Sequence, residues 1–173
     1  MCKKKYKIIK MIITLIKYGD PILHNKCKKI NKQNNLKDKN NLKDIIIKMF
    51  YLLLKHKGVG LAATQIGLTI RLFLVNCFDS RKIIILNPSI VITHCFDKEY
   101  TEGCLSIPKV FEQIKRKENI FIEYVDINWY KHKVRSKGFL ARVILHEFDH
   151  LNGILFLDYL YKFHSSIFIT KNS

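Results

Sequence analysis

The five residues His146-Glu147-Phe148-Asp149-His150 are the part of this chain best suited to chemistry. On a helix, residues four apart share one face, with their Cβ atoms about 5–6 Å apart. Both imidazoles can then reach a single metal ion. Glu147 lies one step round the helix and can face a water in the ion's open position.

The motif works this way only on a helix. From Gly138 to Asn152 the apolar residues Phe139, Leu140, Val143, Ile144 and Leu151 recur at helical spacing without a proline, and Gly153 is placed to stop the helix. His146 and His150 continue the stripe of Phe139 and Val143, so this face is expected to point inward. The plainer alternative is a chance match in a helix with two core histidines.

Two imidazoles leave a metal centre short of ligands. A histidine three residues after Gly153 would complete one zinc-peptidase plan, but Phe156 stands there. A downstream glutamate would complete another, and none follows Glu147. His164 could serve, but nothing around it suggests a site. The remaining ligand is expected upstream, where cysteines are available. Cys2, Cys27, Cys77 and Cys95 read as small hydrophobes. Cys104 differs, because Gly103 and Pro108 bracket an irregular segment, Glu102-Gly103-Cys104-Leu105-Ser106-Ile107-Pro108, that can present a thiolate.

The elements that must position these groups can be read in outline. The chain has 173 residues, 48% of them hydrophobic, enough for one domain with a real core. Its five cysteines are an odd number in no disulfide spacing, which fits a reducing cytosol. The longest apolar runs, such as Ile83 to Leu86, are too short to span a bilayer. The net charge of +17 comes from 31 basic and 14 acidic residues. The lysines are scattered among many Ile and Asn residues, so codon bias towards A and T accounts for the charge. No DNA- or RNA-binding motif accompanies it.

Residues 1–10 are basic, lack turn or cap signals, and are expected to be a loose extension, with residues 11–173 forming one catalytic domain. Tyr18-Gly19-Asp20-Pro21 is a turn, and 25–41 reads as polar loop. Leu42 to Lys57 follows the helical pattern, with Gly58 ending it. Strands are expected at Ile70–Asn76, Lys82–Leu86, Ser89–Thr93 and Ile120–Val125, with another around Lys131–Val134. Spacings this short leave no room for crossover helices. The fold class is therefore α+β: mostly antiparallel sheets packed around a central helix carrying the His-Glu-x-x-His motif, with an N-terminal helix.

GVGLAATQ at 58–65, EGCLS at 102–106 and HEFDH at 146–150 resemble the three motifs of the peptide deformylases, in the same order and spacing. YGDP at 18–21 and GILFLD at 153–158 also fit, so the resemblance runs from about Met11 to Leu160. It implies that Cys104, His146 and His150 bind the metal, and that Glu147 is the general acid/base. Gln65 and the Leu105 backbone N–H would hold the oxyanion, while Gly60, Val59 and Glu102 would bind substrate. The implied reaction removes the formyl group from the N-terminal formyl-methionine of new proteins and releases formate. The implied metal is Fe²⁺, with Zn²⁺, Ni²⁺ or Co²⁺ as substitutes. The partners are N-formylmethionyl nascent peptides and, as a further candidate, the ribosome surface.

Physical chemistry supports that assignment. One thiolate and two imidazoles leave a fourth position open, and a metal ion there brings the pKa of water towards ~7. The chain departs from the family pattern at Leu145, where Gln is frequent, at His24, where Arg is usual, and at Phe111, where some members carry a substrate-binding Arg. A metallopeptidase acting on internal bonds and an inactive basic protein bound to the ribosome are the competing readings.

Overall fold

The computed structural model describes residues 13–31, 39–76, 82–92 and 96–160. The expected extension at 1–10 lies outside the described residues. Helix α1 covers Lys39–Lys55 and helix α2 covers Gly138–His150. Among the described residues seven strands accompany them: β1 (Gly60–Ala62), β2 (Leu72–Asn76), β3 (Lys82–Ile92), β4 (Asp97–Cys104), β5 (Ile107–Lys117), β6 (Asn119–Val125) and β7 (Lys131–Lys137). Short 3-10 turns occupy Pro21–His24 and Ala63–Ile66. The class is α+β; among the described residues these strands pair antiparallel, beside one isolated parallel bridge, Lys28–Ile70.

Five strands form one sheet in the order β1-β2-β3-β6-β7, while β4 and β5 form a separate hairpin. Strand β2 explains how the large sheet is used. Leu72 and Leu74 face α1, joining Leu42, Ile46, Met49 and Leu53. Phe73 and Val75 face α2, joining Ala141, Ile144 and Leu145. A strand covered on both faces reads as a continuous apolar run, as LFLV does. Helix α2 is central, touching β1, β2, β5, β6 and β7. Among the described residues, no helix is long and apolar enough to cross a membrane.

Several boundaries differ from the sequence reading, each for a local reason. Lys39 to Asn41 belong to α1 rather than to the preceding loop. At its other end the left-handed residue is Lys57 (φ 53°), not Gly58. The Gly58 N–H reaches the Leu53 carbonyl and the Lys57 N–H reaches that of Leu54, which caps the helix. Gly58 is needed for space, since a Cβ there would lie 2.8 Å from Leu105 and Leu53 side-chain carbons. Lys82–Leu86 and Ser89–Thr93 are not two strands. Within 82–92 they are the single strand β3 with a bulge, because Asn87 takes φ 49° and its side chain bonds both the N–H and the carbonyl of Ile30. Thr93 itself lies outside the described residues.

The segment around Cys104 is irregular as expected, its pairing register shifting between Gly103 and Cys104. It is the tip of the β4–β5 hairpin, turning at Leu105 and Ser106. The ion pairs Glu99–Lys115 and Asp97–Lys117 are exposed and contribute only about 0–1 kcal/mol each. The hairpin is held instead by burial of Ile107 and Ile114 against Leu23, Leu155 and Phe156.

Candidate metal centre

Side chains of helix α2 and strand β4 reach one another. Four helical residues rise about 6 Å, and two strand residues rise about 6.6 Å. The two elements therefore stay in step over three levels. His150 meets Cys104, with Nε2 3.3 Å from Sγ. His146 meets Glu102, with Nδ1 3.1 Å from Oε2. Arg142 meets Tyr100, its guanidinium over the ring. This matching of rises is what brings together residues 46 and 44 positions apart in the chain.

One donor atom each from Cys104, His146 and His150 lies within 4.8 Å of the others. The donor set is a thiol and two imidazoles, and the second ring nitrogen of buried His150, Nδ1, has no hydrogen-bond partner among the described residues. These residues fit a divalent ion of borderline softness, iron and zinc included. Burial, followed by the charge of His146, holds His150 well below its usual pKa, which keeps it neutral. Burial also opposes charge on His146, but hydrogen bonds that its ring donates to Cys104 and Glu102 raise its pKa to about 10. A metal ion would replace that proton, as binding requires.

Glu102, expected to bind substrate, lines the cavity, with its carboxylate engaged by neighbouring side chains. Its carboxylate is buried, accepts both from Arg116 Nε and from Arg116 Nη2 (2.9 Å), and orients His146. Arg116 continues to Asp149 (Nη1–Oδ2, 2.7 Å), which also accepts from the Tyr159 hydroxyl at 2.8 Å. This support fixes which His146 nitrogen faces the ion, a role such outer groups commonly have. Asp149 was visible inside the motif, but Arg116 and Tyr159 carried no local signal.

Gln65 closes the other side. Its Oε1 accepts from the Ala62 N–H at 2.8 Å, which fixes the amide. Its Nε2 points at Cys104 Sγ (3.4 Å) and at Ser106 Oγ (3.2 Å), the latter a contact the sequence reading did not include. Leu105 opens the turn after Cys104, and its carbonyl accepts from Lys17 Nζ at 3.0 Å.

Glu147 is 4% exposed, and its Oε2 has no partner among the described residues. Burial pushes its pKa up to about 7, against the opposing charges of His146 and Arg116. Gly60 lies against it, and a Cβ on Gly60 would stand 2.2 Å from Glu147 Oε1. Gly60 is therefore a matter of space for the carboxylate.

These groups line a cavity of about 460 Å³, whose walls include Val59, Gly60, Leu105, Phe139 and Val143. Phe139, expected to face inward, is 43% exposed and forms part of this wall. Phe111 also lines it, its ring lying over Gly103.

Known proteins match this arrangement over most of the chain. The family model for polypeptide deformylase matches residues 12–166. The peptide deformylase of Karelsulcia muelleri is 44% identical over 155 residues, covering 87% of this chain and 79% of that protein. That of Christiangramia forsetii is 41% identical over 167 residues, covering 87% and 82%. The crystal structure of the Thermotoga maritima peptide deformylase superposes with a TM-score of 0.79 at 33% identity, covering 85% of this chain and 96% of that one. With its family match across nearly the whole chain, a thiol and two imidazoles converging beside a buried glutamate, and the same fold, this chain belongs to the polypeptide deformylase family.

Proposed function

We infer that this chain removes the formyl group from the N-terminal formyl-methionine of newly made polypeptides, with Cys104, His146 and His150 holding the metal. The observation that carries the residue assignment is the convergence of those three donors within 4.8 Å of one another. A divalent ion held there supplies Lewis acidity and lowers the pKa of a water towards neutrality. The metal proposed is Fe²⁺, with Zn²⁺, Ni²⁺ or Co²⁺ able to substitute.

The remaining chemistry belongs to the chain. Glu147 takes a proton from the attacking water and returns it to the leaving amine as the formyl C–N bond breaks. The products are formate and a free amino terminus. Gln65 Nε2 and the Leu105 backbone N–H are the proposed donors to the formyl oxygen as charge develops on it. The Gln65 amide contacts a sulfur and a hydroxyl, and an oxyanion is a stronger acceptor than either. Gly60 and Val59 are proposed to flank the substrate backbone, while Glu102 orients His146. The reaction is placed in the cytoplasm, carried out by residues 11–173 as one domain, with nascent chains as substrates and the ribosome surface as a further partner.

The test is direct. Anaerobically purified, Fe²⁺-loaded protein given a formyl-Met peptide should release formate and free amine in equal amounts, and chelation should stop it. Cleavage of internal peptide bonds without formate would favour a metallopeptidase instead. Within this scheme Gln65→Leu should keep its metal and lose roughly 10²–10³ in kcat, as for one oxyanion donor. Because the opposing charge appears in the transition state, KM should change little. A loss confined to KM would remove Gln65 from that role.

A further inference from the structure

Strand β7 closes the large sheet at one edge. Its residues alternate between the two faces. Val134 and Ser136 pair with Ile122 and Ile120, which belong to the core against α2. Lys131, Lys133, Arg135 and Lys137 point the other way, and all four are exposed. Every outward position of the strand is therefore cationic. No acidic residue lies on β7, and Glu123 of β6 pairs with Lys133 alone, at 2.8 Å. Among the described residues Lys131, Arg135 and Lys137 take part in no ion pair.

The neighbouring strands give the same face an apolar centre. Phe121 of β6 stands between Arg135 and Val91, and Val91 is 55% exposed. Phe121 belongs to none of the buried clusters. Helix α1 covers β1 and β2 instead, and among the described residues none from β6 or β7 lines the metal-site cavity. The terminal segments 1–12 and 161–173 contain no Asp or Glu, so neither complements the row. Composition accounts for how many lysines the chain has, not for a face on which every outward position is cationic. Charges on an edge strand discourage pairing with another chain, but that needs no aromatic neighbour.

Outward residues two apart on a strand are separated by about 6.6 Å, close to the spacing of successive phosphates on an extended nucleic-acid strand. A regular row of cations thus matches a regular polyanion, and a ring beside it offers a surface on which a base can stack. We propose that the outer face of β6 and β7 binds single-stranded RNA, with Lys131, Arg135 and Lys137 on phosphates and Phe121 under a base. The choice of RNA rests on the substrate reading given above, because nascent chains emerge beside RNA.

The probe is a fluorescein-labelled, uridine-rich single-stranded RNA, titrated with the full, metal-loaded chain over a range of salt. The triple variant Lys131→Gln, Arg135→Gln, Lys137→Gln should bind roughly tenfold or more weakly, and its slope of log affinity against log salt should flatten by about 2, at about 0.7 for each phosphate contact. Lys26→Gln, Lys43→Gln, Lys55→Gln removes the same charge from exposed positions elsewhere and should change little. Phe121→Leu should weaken binding by roughly fivefold or more at an unchanged salt slope, as for one lost stacked base. Should the first triple variant fail to fold, Arg135→Gln alone should flatten the slope by about 0.7. Equal losses in the two triple variants would reduce the effect to overall charge and overturn the proposal. So would full affinity in Phe121→Leu, or binding to phosphatidylserine vesicles and not to RNA. Formate release is read on the same samples and should match wild type in every variant. Its absence in wild type would overturn the reaction, while the RNA titration still decides this surface.

Discussion

Glu147→Gln should keep its metal and lose at least ~10²–10⁴ in kcat, the range for a missing general acid–base. The substitution preserves size, so the close approach of Gly60 to the Glu147 side chain is undisturbed. None of the three metal donors is changed. What disappears is a carboxylate whose burial raises its pKa to about 7. A group titrating near neutrality can both accept a proton and give it back. Its Oε2 has no partner among the described residues, so no structural hydrogen bond is lost at that atom. Metal content and steady-state kinetics measured on the same sample decide the matter. Normal turnover with metal bound would refute the mechanism, and loss of metal would make Glu147 a ligand or a support for one.

Cys104→Ala should abolish both tight metal binding and activity, and so should His150→Ala. Two of three protein donors remain in either variant, and each vacated position leaves a buried site with less charge or basicity to offset the ion. The effect is readable without turnover. A ligand that binds only the folded state raises the melting temperature, so added Fe²⁺ or Co²⁺ should stabilise wild type and leave Cys104→Ala unmoved. Cys27→Ala is the control. Cys27 is buried against Leu151 and Ala62, with burial raising its thiol pKa to about 11. That variant should lose some stability and retain the metal. Full metal occupancy in Cys104→Ala would remove Cys104 from the ligand set.

The long elements were legible because their signals are local. In α2 the apolar positions repeat with the helical period, and Gly153 stops it at φ 74°, where a Cβ would stand 2.2 Å from the His24 carbonyl oxygen. Strands β2 and β6 were legible because both are rich in β-branched and aromatic residues. The β4–β5 hairpin was not. Its inward positions on β4 are Tyr100, Glu102 and Cys104, and its outward ones are Asp97, Glu99, Thr101 and Gly103, so no apolar alternation exists to be read. The inner face is polar because it carries the chemistry, and the pattern that betrays an ordinary strand is therefore missing.

The sequence by itself determined the kinds of groups available and the face on which two of them lie. Spacing of four on a helix is a local property, and three motifs together identified the reaction class. The tertiary structure decided the rest: that Cys104 meets His150, that the Glu102 carboxylate engages His146 and Arg116, and that Arg142 packs against Tyr100 in the cavity wall. Those outcomes depend on which turn of α2 lies beside which residue of β4. Tertiary packing between distant segments sets that register, and no local run of residues records it.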